Sequence, residues 1–266
     1  MWDGWLQEIK SGKIKSMAKG QPPSKKVFDF GFEKVSAAEK TEKVTHVFER
    51  VATRYDLMND VMSLGLHRLW KNWFVESLPL RHEGVYLDVA GGTGDIAKAI
   101  SERLTHFRFH AHITVSDINP AMIAVGQKRY PHLSWVCSNA EDLPLEDHSV
   151  DVYTIAFGLR NVTHREKAIS EAYRVLRPGG KFACLEFSQV IPPLQKLYDF
   201  YSFHLIPRMG EWIAQDKEAY QYLSESIRTF LTREELLSLM RKVGFERAGY
   251  ETSTGGIVAL HTGYKL

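Results

Sequence analysis

The periodicity of apolar positions changes twice along the chain. In "KTEKVTHVFERVATRYDLMNDVM", Val44, Val47, Phe48 and Val51 fall at i, i+3, i+4 and i+7, which predicts a helix within a helical cap spanning 30–80. Short apolar runs then alternate with amphipathic stretches. "VYLDVA" (85–90), "HITVSD" (112–117), "LSWVCS" (133–138) and "VDVYTIAF" (150–157) read as strands. Helices are predicted from about Asp95, from Asn119-Pro120 with proline at the first helical position, and from about Arg165 to Leu176. "RPGG" stops the last of these before the strand "KFACLEFS" (181–188). Strands alternating with helices predict a parallel sheet with crossover connections.

Residues 190–230 break this rhythm. They hold no clear strand and gather aromatic residues. A helix over "TREELLSLMRKVGF" and the strands "ERAGYET" and "GIVALHTGYKL" follow, the strands separated only by "STGG". So short a connection allows antiparallel pairing, because a parallel return needs a longer crossover. The pattern predicts one α/β domain over 30–266: a mostly parallel sheet, an antiparallel C-terminal hairpin, an N-terminal helical cap and an aromatic insertion.

Composition narrows the function classes. The chain has 266 residues, 44% hydrophobic and 25% charged, enough for a sizeable core in an ordinary globule. A net charge of +2 and no K/R-rich block give no ground for a nucleic-acid partner. Cys137 and Cys184 lie in apolar runs and read as buried core thiols. No stretch reaches the ~18 apolar residues that span a bilayer. From Ile9 to Phe28 there are six lysines and no acid. Residues 1–29 therefore read as a flexible basic arm outside the fold, with a remnant of a mitochondrial transit segment as the alternative.

Candidate chemistry begins at "LDVAGGTGD". Its glycines, Gly91, Gly92 and Gly94, do not have the G-x-G-x-x-G spacing of dinucleotide sites. Asp95 would set a carboxylate at the helix end where a pyrophosphate would sit, which favours S-adenosylmethionine over a dinucleotide. The amino-acid end of that cofactor is expected against Asp88 and the turn at Gly91. Asp117, closing the second strand, is placed to take both ribose hydroxyls. Asn139 and Ala140, after the third strand, are placed for the adenine edge through a side-chain carbonyl and a backbone N–H.

"RYDLMNDVMSLGLHRLWK", "LDVAGGTGDIA", "NAEDLPLEDHSVDVYTIAFGLRNVT", "RVLRPGGKFACLEFS", "LYDFYSFHLIPRMGE" and "YQYLSESIRTF" together resemble the ubiquinone/menaquinone biosynthesis C-methyltransferase family, from about Phe30 to Leu266. The resemblance implies a class I methyltransferase fold, with a Rossmann-like sheet. It also implies methyl transfer from S-adenosyl-L-methionine to a ring carbon of a polyprenylated benzoquinol or naphthoquinol, the two substrates remaining open. Carried over by motif, the cofactor residues are Thr93, Asp117, Asn139 and Ala140. Where the family often has Ser before "FGLRN", Ala156 stands here.

Arg160 and Asn161 follow the fourth strand, at the carboxyl edge where open α/β sheets bind ligands. Both are catalytic candidates, Arg160 as a phenolate stabiliser or water orienter, since a guanidinium stays protonated. The alternative for Arg160 is a salt bridge within the fold. Tyr201 and His204 are weaker candidates, and no histidine spacing demands a metal. The aromatics of 194–223, Trp212 and Tyr222 among them, are expected to form a lid for a greasy substrate, with core packing as the alternative. A peripheral membrane surface is the expected partner. Contacts with other quinone-biosynthesis proteins and a homodimer are left open. The expected location is the matrix side of the mitochondrial inner membrane, with a bacterial cytoplasm as the alternative. A nicotinamide-dependent oxidoreductase and a silent scaffold are the rival readings.

Overall fold

A computed structural model describes residues 27–52, 55–205, 208 and 217–266. Most of the basic arm and Trp212 therefore lie outside the described residues. The chain enters the fold earlier than the alternation of residues suggested. Two short strands, β1 (Phe28–Phe30) and β2 (Glu33–Val35), pair antiparallel around Gly31, whose φ of +58° suits the turn. They precede the helices of the expected cap: α1 (Ala37–Val51), α2 (Tyr55–Ser63) and α3 (Leu66–Glu76). A capping box opens α1, in which Ser36 and Glu39 satisfy each other's backbone N–H groups.

The main sheet contains β3 (Gly84–Val89), β4 (Ala111–Asp117), β5 (Ser134–Cys137), β6 (Val150–Ala156), β7 (Leu176–Phe187), β8 (Glu246–Ser253) and β9 (Val258–Tyr264). Their spatial order is β5-β4-β3-β6-β7-β9-β8. The first five are parallel, as the crossover pattern requires, and β9 runs antiparallel to both β7 and β8. The C-terminal hairpin is therefore present, but its second strand is inserted between β7 and β8. The helices α4 (Asp95–His106), α5 (Pro120–Arg129), α6 (Arg165–Val175) and α9 (Arg233–Val243) supply the layers on its faces.

Each face has its own core. Leu87, Val89, Tyr153 and Phe182 pack with α6 and α9, whereas Tyr86, Val115, Val152 and Leu260 pack with α3 and α4. Successive residues of β3 thus serve opposite layers, the period of two that makes a doubly covered strand apolar throughout. "RPGG" differs from expectation: α6 stops at Val175, but Leu176 already pairs with Val150. A register irregularity absorbs the prolyl-glycyl segment inside β7. Cys137 also departs from expectation. It ends the edge strand β5 and is exposed, because no further strand among the described residues covers that side; Cys184 is buried.

The aromatic insertion is divided. The helix α7 (Pro192–Phe200) and a π turn (Tyr201–Leu205) expose Leu194, Phe200 and Leu205. The helix α8 (Lys217–Arg228) instead buries Tyr220, Tyr222 and Leu223 against Val44, Val47 and Val51 of α1. These tyrosines are core, not a lid, because the apolar stripe of α1 needs a partner and α8 supplies it.

Trp135 of β5 is wedged between the start of α4 and the C-terminal half of α5. A Cβ on Gly126 would meet its ring at 2.1 Å, and one on Gly94 at 2.7 Å. Gly→Ala inside a helix ordinarily gains about 1 kcal/mol, but overpacking a rigid ring costs about 1–3 kcal/mol. Gly126→Ala is expected to lose about 1 kcal/mol net, lowering Tm by roughly 2–4 °C. Gly249→Ala, with nothing within 4 Å of its added carbon, should not. Thermal denaturation of both variants checks this; a raised Tm for Gly126→Ala would show that the indole yields.

Candidate active site

Strand order reverses direction between β3 and β6, and the carboxyl ends of the parallel strands open there onto a cleft. This is the switch point at which doubly wound sheets receive ligands. About 790 Å³ of space lies in the cleft, including its opening to solvent. Of the residues singled out from the sequence, Asp117, Asn139, Ala140 and Asn161 line it. Asp88, Gly91, Thr93 and Arg160 do not appear on its walls.

Asp117 leaves β4 pointing back across the glycine turn. One carboxylate oxygen accepts from Gly92 N–H at 2.8 Å and the other from Asn119 N–H at 2.8 Å. Asn119 in turn caps α5 by accepting from Ala121 N–H and Met122 N–H. Burial raises the proton affinity of Asp117, and the backbone donors oppose that rise. A carboxylate has about four lone-pair sites, so two amide donors leave room for two ribose hydroxyls.

Asn139 is exposed at the cleft, but its side-chain carbonyl accepts from Glu141 N–H at 3.0 Å. The expected acceptor for an adenine amine is thus already shared with the turn. Glu141 lines the cleft and is held by His164, whose Nδ1 lies 2.7 Å from its carboxylate. These groups fit an adenosine: a ribose-sized acceptor at Asp117, a turn beside Ala140, and Met122 with Ile118 as apolar walls.

The cleft's other wall was not legible as a binding surface in the sequence. Thr41, Val44, Thr45 and Phe48 bring one face of α1 over it, fastened where Asn119 Nδ2 donates to Thr45 O at 3.1 Å. Val44 and Phe48 carry the helical periodicity, but periodicity cannot distinguish a core wall from a ligand wall. Gly158 comes within reach of the turn because a Cβ there would lie 2.5 Å from the Ala90 Cβ.

Asp88 and Thr93 lie beneath the glycine turn. Asp88 is fully buried; one oxygen accepts from Thr154 Oγ1 at 2.8 Å and the other has no partner. The Thr93 hydroxyl is likewise buried without a partner. A Cβ on Gly91 would stand 2.7 Å from Asp88 Oδ2, so the glycine is needed to close the turn over that carboxyl. The direct contact expected between cofactor and Asp88 is not prepared here; Asp88 supports the turn from below.

Arg160 and Asn161 form the 3₁₀ turn Leu159–Asn161. Asn161 faces the cleft, with its Oδ1 accepting from Tyr222 hydroxyl at 2.9 Å. Arg160 is buried and ion-paired with Glu186 at 3.1 Å, and it also donates to Phe157 O. The salt bridge read as its alternative role exists, yet Arg160 Nε has no partner. Arg160 belongs to a second, smaller cavity behind Phe157. Tyr201 packs beside the α1–α8 cluster, and His204 is exposed and stacked on Phe200.

Burial pushes the Asp88 carboxyl up to about 7. Below the unfolded value, about 4, it contributes stability, and that contribution is lost as pH rises through about 7. Asparagine stays neutral throughout. Asp88→Asn should therefore gain about 2–3 kcal/mol relative to wild type between pH 5 and pH 8. Denaturant titrations at both pH values test this; an equal difference at each would show Asp88 to be ionised throughout.

The family model described as "ubiE/COQ5 methyltransferase family" matches residues 36–265. A Brucella abortus protein named "Ubiquinone/menaquinone biosynthesis C-methyltransferase UbiE" is 52% identical over 246 residues, covering 89% of this chain and 90% of its own. The "2-methoxy-6-polyprenyl-1,4-benzoquinol methylase, mitochondrial" of Caenorhabditis elegans is 46% identical over 270 residues, covering 98% and 93%. Among solved structures, a SAM-dependent methyltransferase of Thermotoga maritima aligns with a TM-score of 0.58 at 24% identity, over 83% of this chain and 99% of that one. The [4+2]-cyclase SpnF shares the architecture at a TM-score of 0.54 and 17% identity, over 74% of this chain and 80% of that one, so the fold alone does not specify methyl transfer. The likeness of sequence along nearly the whole described chain does: it belongs to the ubiE/COQ5 methyltransferase family, whose cofactor is S-adenosylmethionine.

Proposed function

We propose that this protein methylates a ring carbon of 2-methoxy-6-polyprenyl-1,4-benzoquinol in ubiquinone biosynthesis. The observation that carries the reading is the likeness to the nematode methylase across 98% of the chain. The Brucella relatives' names also include menaquinone biosynthesis, which keeps a demethylated naphthoquinol as the second substrate to assay.

Bound S-adenosylmethionine supplies an electrophilic methyl group on a cationic sulfur. The chain's part is largely placement, because methyl transfer needs the ring carbon in line at about 3–3.5 Å. Asp117 and the turn beside Ala140 hold the adenosine, while α1 excludes water from above. Arg160 and Asn161 stand where the carboxyl edge of β6 meets the acceptor. There the guanidinium offsets negative charge growing on a ring oxygen, and the Asn161 amide, oriented by Tyr222, donates to acceptor or water.

The lipid tail implies a membrane-side entry. Ile191, Leu194, Phe200 and Leu205 are exposed along α7 and its π turn, and apolar side chains gathered in this way suit a lipid interface. No helix among the described residues is long and apolar enough to cross a membrane. We read the protein as a peripheral one, on the matrix side of the mitochondrial inner membrane; the nematode relative's name, which includes "mitochondrial", supports the organelle.

Transfer of labelled methyl from the cofactor to the benzoquinol, with none to a naphthoquinol, tests the reading; absence of any labelled quinol would overturn it. Asp117→Asn should weaken cofactor binding by about 1.5–3 kcal/mol, the worth of hydrogen bonds to a charged group, as read by calorimetry. Arg160→Ala should lower kcat and kcat/KM together, and Arg160→Lys should restore little, since a point charge cannot replace the fork held by Glu186. For the membrane face, Leu194→Ser with Phe200→Ser should reduce co-sedimentation with anionic liposomes. Equal sedimentation would move the entry elsewhere.

A further inference from the structure

Behind Phe157, which lines both spaces, a second cavity is enclosed by Met58, Ser63, His67, Arg160, Phe187 and Leu223, among others. It holds about 350 Å³ of space with its opening included, and its innermost part, about 20 Å³, has room for one oxygen atom. The walls are mostly apolar, and two buried polar atoms on its lining side chains have no partner: His67 Nδ1 and Arg160 Nε.

The chemistry of these atoms is fixed by what lies behind them. His67 Nε2 is 2.8 Å from Asp60 Oδ1, and Arg68 grips the same carboxyl with Nε at 3.0 Å and Nη2 at 2.7 Å. The guanidinium and then the histidine hold Asp60 down at about 2, so at neutral pH it is a carboxylate that can only accept. The shared proton therefore resides on His67 Nε2. Burial, opposed by the bond to Asp60, lowers the proton affinity of the ring, so it is neutral near pH 7 and Nδ1 carries a lone pair. Arg160 Nε, by contrast, is always a donor. An unmet acceptor and an unmet donor on one oxygen-sized cavity are complementary to a single hydroxyl group.

We propose that this cavity receives the phenolic hydroxyl of the acceptor ring, with His67 Nδ1 taking its proton and Arg160 Nε donating to its oxygen. The inference rests on the reading of the substrate as a quinol. The proton passes from oxygen to Nδ1, and the electron pair it leaves enriches the ring carbon adjacent to that oxygen, the carbon opposite being the one that carries the second hydroxyl. That carbon forms a bond to the methyl group as the sulfur–methyl bond breaks and its pair returns to sulfur. Loss of the ring C–H proton to water restores aromaticity, and His67 returns its proton to the oxygen. The net products are methylated quinol, S-adenosylhomocysteine and one proton. Asp60 orients the imidazole and stabilises the imidazolium, as an acid behind a catalytic histidine does. Met58, and Met62 beside it, give the cavity adaptable walls through which a ring substituent can enter.

His67→Gln removes the base and keeps a polar side chain. With wild type active on the quinol, the variant should lose at least 100-fold in kcat, with cofactor affinity and Tm unchanged. The acid limb of the wild-type pH–rate profile should disappear with it. The charged groups near that limb are Asp60 beside the ring, Arg68 and Lys71 on its own helix, and Arg160 with Glu186 across the cavity. Under anaerobic conditions near pH 10, where a phenol ionises unaided, the variant should approach wild-type turnover, a rescue that lost packing would not produce. Should His67→Gln fail to fold, Asp60→Asn serves: it should lower kcat and move the acid limb while leaving cofactor affinity intact. A folded variant with wild-type kcat and an unchanged acid limb would overturn the proposal. Absence of methyl transfer by the wild-type protein would instead overturn the quinol reading on which it rests.

Discussion

The carboxylate of Asp117 ties three pieces of chain together at one point, beside the Gly91 N–H bond to Ser116 O that already joins the turn to β4. It receives the Gly92 N–H from the turn after β3 and the Asn119 N–H from the start of α5, while its own backbone closes β4. The turn needs Gly92 at a φ of +56°, a conformation that few side chains adopt, and nothing in its own sequence forces it there. The bonds to Asp117 do. Asn119 extends the same connection to α1 through Thr45, so the cleft's floor, its end and its far wall share one bonded chain. Burying a charge for this purpose is costly unless its lone pairs are met by donors. Two amide N–H groups supply part of that compensation, and ribose hydroxyls would complete it.

A second constraint divides the cleft from the smaller cavity behind Phe157. The segment from Phe157 to Thr163 separates the two cavities, presenting Gly158 and Asn161 to one and Arg160 to the other, with Phe157 between them. Every side of this segment is held. Glu186 pairs with the Arg160 side chain and accepts its backbone N–H; Tyr222 fixes Asn161; Lys40 donates to Val162 O; Arg165 donates to Arg160 O. Lys40 is itself pushed down to about 8 by burial and by neighbouring Arg165, so the bond is kept at a cost. A buried ion pair such as Arg160–Glu186 adds little net stability once desolvation is counted. Its value here is geometric, since it holds a cation immobile against the smaller cavity.

The N-terminal region and α8 depend on each other in the same way. Phe30 stacks on Tyr222 with ring centroids 4.2 Å apart, and Tyr222 reaches Asn161. A small hairpin at the chain's entry is thereby linked, through one aromatic pair and one hydroxyl, to a residue that lines the cleft.

Much of this was written in local patterns. Continuous apolar strands, the Asn119-Pro120 start, the capping residues and the glycine turn specify their elements through neighbours in sequence, so sheet direction and switch point followed from periodicity and connection length. Asp117, Asn139, Ala140 and Asn161 were legible because strand ends in an alternating fold must converge on one edge. Other features were decided only by tertiary packing. The insertion of β9 between β7 and β8 depends on which edge buries the most apolar surface, not on the "STGG" turn. Tyr220 and Tyr222 looked like parts of a lid because aromatic composition does not say what a ring faces; the stripe of α1 made them core. Asp88 and Thr93 share a motif with Gly92 but lie beneath the turn, since the bend of the chain carries their side chains away from the cleft. His67 carried no signal at all. Its neighbour Asp60 lies one helix away in sequence, its facing Arg160 far beyond, and only the folded chain brings an acceptor, a donor and an oxygen-sized space together.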